Sequence, residues 1–282
     1  MTDKFLTFLL LCSILFFIAC GDTEKVNETA VETTTDKMAD FADDKDFRDK
    51  HPAPNNAEFS PRGEMMTYDT PDGKTASAYM LKAAEPTDKY LFVIQEWWGL
   101  NDNIKREADR YYAALENVNV MALDMYDGES ADNPDAAKKL MQSREQERLE
   151  NIVKGALNYA GDEPEIATVG WCFGGGWSLR SAILAGESAK ACVMYYGMPV
   201  ENAAELAPLE APVLGLFAEQ DKWINREVIG KFEKLAAATG KDVETHWFEA
   251  DHAFANPSNP KYDSEAAQKA NALAMDFIKK HF

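Results

Sequence analysis

Histidine and cysteine are both scarce. The 282-residue chain has four of each, and none of them cluster at a spacing that holds a metal ion. No metal and no cofactor is expected on that ground. Basic residues are also in deficit, 29 Lys and Arg against 48 Asp and Glu, for a formal charge of −19. That balance excludes nucleic acid and an anionic membrane surface as partners. There is no internal repeat, which excludes a solenoid or a propeller. A long hydrophobic run is missing too: the best candidate, Phe5 to Ala19, is too short for a comfortable membrane span.

That run is preceded by Lys4 and ends in small residues, so residues 1–19 read as a secretory signal peptide. Its end, Phe17-Ile18-Ala19-Cys20-Gly21, resembles a bacterial lipobox. The resemblance implies cleavage before Cys20, lipid on Cys20, and export to the bacterial cell envelope, with acyl chains as the only membrane contact. From Gly21 to about Gly63 the chain turns to Asp, Glu, Thr, Lys, Asn and Pro. Too few large apolar residues remain there to offset the entropy of ordering, so the lipidated Cys20 and residues up to 63 are expected to form a flexible acidic tether. A short amphipathic helix around Met38 to Phe47 is the one element it allows.

Residues 64–282, roughly 220 of them, are expected to form a single domain, read as a monomer. Met65 to Tyr68 and Ala76 to Leu81 flank Thr70-Pro71-Asp72-Gly73, a hairpin signal. Beyond it, apolar strands alternate with helices. Strands are expected at Leu91 to Gln95, Val118 to Leu123, Ile166 to Trp171, Ala191 to Tyr196, Pro212 to Ala218 and Asp242 to Phe248. Helices are expected at Asn103 to Leu115, after Asn133-Pro134, at Trp177 to Ala185 and at Ser264 to Lys280. The alternation specifies an α/β fold, a mostly parallel sheet with helices on both faces.

The chemistry concentrates in Gly170-Trp171-Cys172-Phe173-Gly174-Gly175-Gly176. A strand that ends in a nucleophile flanked by small residues, with a helix beginning at once, is the strand-turn-helix elbow of acyl-transfer enzymes. Here a cysteine stands where a serine is usual. A phosphate-binding glycine loop is the competing reading of the glycines. Of the histidines, His51 lies in a polar N-terminal stretch, His281 is penultimate and His246 falls within an alternating strand, which leaves His252 as the base. Between Cys172 and His252, the strand from Pro212 ends in Glu219-Gln220-Asp221. Asp221 is the candidate to orient the imidazole, with Glu219 as its rival; nucleophile, acid and His then follow the chain order of the α/β-hydrolase fold.

These residues resemble the dienelactone hydrolase family, cysteine hydrolases of the α/β-hydrolase fold, from about Glu64 to the C-terminus. Gln95-Glu96-Trp97-Trp98-Gly99 looks like the family's Gln-Glu-x-x-Gly segment, and Asp124-Met125-Tyr126 like its strand-ending Asp-x-Tyr. The resemblance implies that Glu96 pairs with the resting thiol of Cys172. It implies an oxyanion hole made of the Trp97 and Phe173 backbone N–H groups. It also implies attack on a small-molecule lactone or ester, collapse to a thioester, and hydrolysis by water that His252 deprotonates. The family clamps a substrate carboxylate with arginines, one of them four residues after the His. Asn256 stands there in this chain, and an amide cannot supply the guanidinium fork. Arg144 and Arg148 lie in the region of the second. Trp98, Tyr126, Tyr196, Phe254 and Asn256 are the candidate pocket residues.

Some alternatives stay open. Cys172 and Cys192 are what remains once Cys12 leaves with the signal and Cys20 carries lipid, and a bridge between them would abolish the chemistry. A weakly catalytic relative that binds a small molecule is the second functional reading. A serine esterase using Ser178 fails, because that residue falls inside the helix after the elbow.

Overall fold

A computed structural model describes residues 38–54 and 58–282; the signal segment, Cys20 and the tether up to residue 37 lie outside the described residues. Two short helices, α1 (Met38–Phe41) and α2 (Lys45–Asp49), come first. Strands β1 (Glu64–Asp69) and β2 (Thr75–Leu81) form the expected hairpin, whose turn has Gly73 at φ +76°. Then come β3 (Lys89–Ile94), α3 (Asp102–Ala114), β4 (Asn119–Leu123), α4 (Pro134–Ser143), α5 (Gln146–Ala160) and β5 (Glu165–Trp171). The chain continues with α6 (Phe173–Ala185), β6 (Ala189–Tyr195), α7 (Ala203–Leu206), β7 (Val213–Ala218), α8 (Arg226–Thr239), β8 (Val243–Phe248) and α9 (Ser264–His281). Among the described residues no helix is long and apolar enough to cross a membrane.

The eight strands form one sheet in the order β1-β2-β4-β3-β5-β6-β7-β8. β2 pairs antiparallel with β1 and β4, and every other pair is parallel. Strands buried on both faces need apolar side chains throughout, which is why Leu91, Phe92, Val93 and Ile94 run without a polar residue and are wholly buried. The two faces are visible on β6. Cys192 and Met194 pack with Leu179 of α6 and Phe232 of α8, while the Tyr195 hydroxyl donates to Asn271 of α9 at 2.8 Å. This is the mostly parallel, doubly covered sheet of the α/β-hydrolase fold. Cys192 therefore lies in the core of one face, 3.6 Å from Ser178 Oγ, and it and Cys172 are both free thiols.

Two expectations need correction. The helix after the elbow starts at Phe173, not Trp177, because its three glycines serve close packing rather than helix propensity. The second concerns the segment expected to be a tether. Met38–His51 packs on the domain, with Met38, Ala42 and Phe47 fully buried and His51 only 3 % exposed. The acidic composition averages over a few apolar residues that all fall on one side of a short arm. Asp44 caps α2 by accepting from the Asp46 N–H at 2.8 Å. The arm is tied down by Lys50 to Asp251 at 3.1 Å, Lys222 to Asp46 at 3.2 Å, and the Trp223 indole N–H to Asp44 at 3.1 Å.

Phe47 is the anchor of this arm. Its ring meets Trp97 and Trp223 edge-on at centroid distances of 5.3 and 5.0 Å. Truncating a buried Phe removes about 3 kcal/mol of packing. Phe47→Ala should therefore raise the population with the arm undocked, and with it tryptic cleavage at Lys45, Arg48 and Lys50, on the order of a hundredfold, with the domain still folded. A cleavage rate equal to that of the wild type would show that Phe47 does not hold the arm.

Candidate active site

The carboxyl ends of the parallel strands converge on one crevice, as the α/β architecture dictates. Cys172 follows β5 at φ 55°, ψ −117°, a backbone region that a residue with a side chain occupies only when its surroundings enforce it. The enforcement is steric. At Gly174 a Cβ would lie 2.3 Å from the carbonyl oxygens of both Ile94 and Gln95, and at Gly175 one would lie 2.5 Å from that of Tyr195. With no side chains there, α6 runs straight into the ends of β3 and β6. The Cys172 N–H donates to the Tyr195 carbonyl at 3.0 Å, and the Gly175 N–H donates to the Cys172 carbonyl at 3.0 Å.

His252 and Asp221 come from the turns after β8 and β7. His252 Nδ1 lies 2.5 Å from Asp221 Oδ2, and both side chains are almost wholly buried. A carboxylate only accepts, so Nδ1 carries a proton, and Nε2 is the nitrogen that gains and loses one. The other oxygen of Asp221 accepts from the Trp223 and Ile224 N–H groups at 2.9 and 3.0 Å. Burial works against both charges, but the His252 charge and these hydrogen bonds outweigh it and hold the Asp221 carboxyl below its ordinary range. Burial likewise opposes the imidazolium, yet the charge of Asp221 and its hydrogen bond raise the His252 pKa well above the usual value. Glu219 faces elsewhere, accepting from Arg226 Nε at 2.9 Å.

The Cys172 sulfur and a ring nitrogen of His252 lie within 4.8 Å of each other. They are close enough to couple electrostatically, but no formed hydrogen bond satisfies Nε2. Burial pushes the thiol pKa up, and the imidazole and the Phe173 N–H only partly oppose it, so the resting sulfur keeps its proton. Glu96, at the end of β3, is 6 % exposed. Burial raises its pKa to about 7, against the opposing pull of the His252 charge and of Asn256, whose Nδ2 donates to Oε2 at 2.5 Å. Asn256 is thus a partner of Glu96.

The remaining candidates divide. Tyr196 and Phe254 stand by His252, Tyr196 at ring distances of 5.0 Å from His252 and 5.4 Å from Phe254. Phe173 opens α6 and meets Tyr126 at 5.4 Å. Trp97 follows Glu96 and meets Trp98 at 5.0 Å, while the Trp98 carbonyl accepts from the Ala131 N–H. Asp124 folds its own turn, accepting from Ser77 Oγ and from the Tyr126 and Gly128 N–H groups. Arg148 is spent on Asp127, Asp72 and the Thr75 carbonyl, and Arg144 pairs with Glu129 and lies over the Tyr126 ring. Neither arginine takes the place of the family's clamp at Asn256.

Sequence reasoning passed over two site neighbours, Phe47 and His51. The His51 ring centroid is 5.0 Å from that of His252 and 5.3 Å from that of Trp97. The only signal for them was the short amphipathic stretch ending at Phe47.

With this geometry in view, residues 76–282 match the sequence profile of the dienelactone hydrolase family. The chain belongs to that family. Protein usf of Aquifex pyrophilus is 30 % identical over 204 residues, covering 68 % of this chain and 87 % of the relative. The carboxymethylenebutenolidase of Pseudomonas sp. (strain P51) is 25 % identical over 235 residues, covering 77 % and 95 %. Among solved structures, the dienelactone hydrolase of Anabaena variabilis superposes with a TM-score of 0.59 at 14 % identity, over 79 % of this chain and all of that one. A dienelactone hydrolase-like promiscuous phosphotriesterase from metagenomic libraries gives 0.67 at 20 % identity, over 78 % and 98 %. At these identities the two structures speak for the fold alone.

Within this family site, Asn256 has an electrostatic duty to the Glu96 carboxylate. A hydrogen bond to the charged form lowers a pKa, so removing it raises one. Asn256→Ala should lift Glu96 above its value of about 7, read from the carboxyl infrared band across a pH series. An unchanged or lower midpoint would show that the amide does not support the charge.

Proposed function

We propose that this protein is a thiol hydrolase of lactones or small activated esters, exported and anchored in the cell envelope by lipid on Cys20. The observation that carries the reading is the elbow thiol of Cys172 standing beside an imidazole whose Nδ1 Asp221 holds, leaving Nε2 free for proton transfer. The steps follow from the side chains. Substrate arrival lets the thiol give up its proton to Glu96, and the sulfur attacks the carbonyl carbon. The developing oxyanion is received by the Phe173 N–H, which opens α6, and by the Trp97 N–H. Collapse breaks the acyl–oxygen bond, leaves a thioester on Cys172 and releases the alcohol or enol oxygen with a proton from the imidazolium. His252 then deprotonates a water, which attacks the thioester and frees the acid. Enol leaving groups suit this chemistry because their charge is delocalised.

Family membership supports the reaction class, and the name of the Pseudomonas relative points to an enol-lactone substrate. The amide at Asn256 argues that the preferred substrate lacks the carboxylate of dienelactone. Tyr196 and Phe254 put aromatic rings beside His252, surroundings that suit a flat unsaturated ring.

The test is turnover of dienelactone, uncharged enol lactones and aryl esters by the full chain in detergent. Cys172→Ala should lower kcat/KM by at least about a thousandfold, and Asp221→Asn by about a hundredfold or more. Activity that survives Cys172→Ala would overturn the thiol mechanism. A folded, reduced protein inert on every compound would favour a small-molecule-binding relative. For the anchor, Cys20→Ser should move the protein from the membrane fraction to the soluble fraction and abolish labelling by radioactive palmitate; a variant still found with the membrane would remove the lipid from the proposal.

A further inference from the structure

Hydrolysis as proposed uses one imidazole, and the arm supplies a second that it does not need. His51 is 3 % exposed and presses on His252 at a ring angle of 66°. Its Nδ1 lies 2.6 Å from the Phe47 carbonyl oxygen. A carbonyl only accepts, so Nδ1 carries the proton and the lone pair is on Nε2. Burial, with the His252 charge added, drives the His51 pKa down to about 3, so the ring is neutral at physiological pH. Among the described residues, Nε2 has no hydrogen-bond partner, and the same holds for Nε2 of His252. A buried imidazole lone pair with nothing to accept, on His51, is an expensive arrangement in a domain whose other polar groups are mostly paired.

One ring nitrogen of each histidine and the Cys172 sulfur all lie within 4.8 Å of one another, and with both Nδ1 atoms engaged elsewhere the nitrogens left to bind are the two Nε2. We propose that His51 Nε2, Cys172 Sγ and His252 Nε2 form a binding site for a borderline-soft transition-metal ion, Zn²⁺ before others. Around a tetrahedral zinc the bonds are about 2.0 Å to nitrogen and 2.3 Å to sulfur, which puts ligand atoms roughly 3.5 Å apart. Side-chain rotations of about an ångström close the gap. Binding breaks the S–H bond of Cys172, whose proton leaves to solvent, and forms one S–metal and two N–metal bonds. The His252 imidazolium also gives up its Nε2 proton to solvent, and each imidazole keeps its Nδ1 hydrogen. Water completes the fourth position.

The outer partners carry the assignment beyond proximity. Metal-binding histidines characteristically donate their other ring N–H to a carboxylate or a backbone carbonyl, which fixes tautomer and orientation. His252 does so to Asp221, and His51 to the Phe47 carbonyl. Mg²⁺ and Ca²⁺ call for oxygen cages, whereas a thiolate with two imidazoles suits zinc. The donors come from three distant segments, so no local spacing in the chain reveals them. They meet only while the arm is docked, and the metal would lock the arm over Cys172. A further consequence, that the metal reversibly blocks ester turnover by occupying the nucleophile and the base, rests on the proposed hydrolase reading; the site itself does not.

The test uses the full chain, reduced and metal-free, titrated with Co²⁺ and then Zn²⁺. One equivalent of Co²⁺ should produce a thiolate-to-cobalt charge-transfer band in the near ultraviolet that Zn²⁺ abolishes, and calorimetry should give one Zn²⁺ per chain. His51→Asn keeps an N–H to donate to the Phe47 carbonyl but has no Nε2, and should weaken Zn²⁺ about a hundredfold. Tryptic protection at Lys45 and Lys50 reports whether that variant keeps its arm docked. Cys172→Ala, which leaves the arm untouched, should remove the charge-transfer band. No stoichiometric complex with the wild type would overturn the site, and so would wild-type affinity in His51→Asn. Metal binding in a protein inert on every ester would leave the site standing and sink the hydrolase reading, while ester turnover without metal binding would do the reverse.

Discussion

The site depends on how closely α6 can approach the sheet. At Gly174 the helix backbone is in contact with the carbonyls that end β3, and at Gly175 with the end of β6. Any Cβ would push the helix outward, and the whole site would loosen with it. Because the helix is so near, the chain has no room for a relaxed turn after β5, and Cys172 is left at positive φ with its side chain raised above the strand ends. The same contact puts the first N–H of α6 beside the sulfur and places Glu96, two residues beyond β3, within its field. A single steric condition thus sets the position of the nucleophile, a donor for an oxyanion and a carboxylate.

Burial then decides what these groups can be. Four ionisable side chains share a space with almost no water, and only one pair of opposite charges is well compensated: Asp221 accepts two backbone N–H groups as well as the imidazole. That pair draws the charge to itself. The thiol and Glu96 are left with the penalty of desolvation, and both are displaced toward their protonated forms. The resting site is therefore polarised at one end and neutral at the other. A ligand that alters solvation near Glu96 acts on the least settled proton of the four.

Much of this was legible in the chain because it is written in local patterns. The glycines around Cys172, the apolar strands ending in Glu96, Asp221 and the His252 turn, and the order of those residues all survive without long-range information. Helix α6 began four residues earlier than propensity suggested because glycine's poor helix score says nothing about a surface that tolerates no Cβ. Rivalry between Glu219 and Asp221 was equally beyond local reading, since it turns on which of the two strand-end acids faces the imidazole. The arm was harder still. Composition classifies residues 21–63 as a tether, an average that hides the few apolar side chains the arm buries. Docking depends instead on Phe47 meeting Trp97 and Trp223, a contact across 50 and 176 positions that no window reports.

The arm and the rigid part of the site differ in what holds them. Cys172, Glu96, Asp221 and His252 sit at ends of central strands whose displacement would require unfolding the sheet. The arm has one fully buried aromatic anchor, and most of its ion pairs are solvent-exposed; Lys222 and Asp46, for instance, keep 58 % and 65 % of their side-chain surface. Exposed pairs of that kind contribute little each, so docking rests mainly on Phe47. It follows that the surroundings of His252 are an equilibrium between two forms, one with His51 and Phe47 against the imidazole and one open to solvent. Substrate entry, thiol exposure and the meeting of the two imidazoles are then governed by the same docking step.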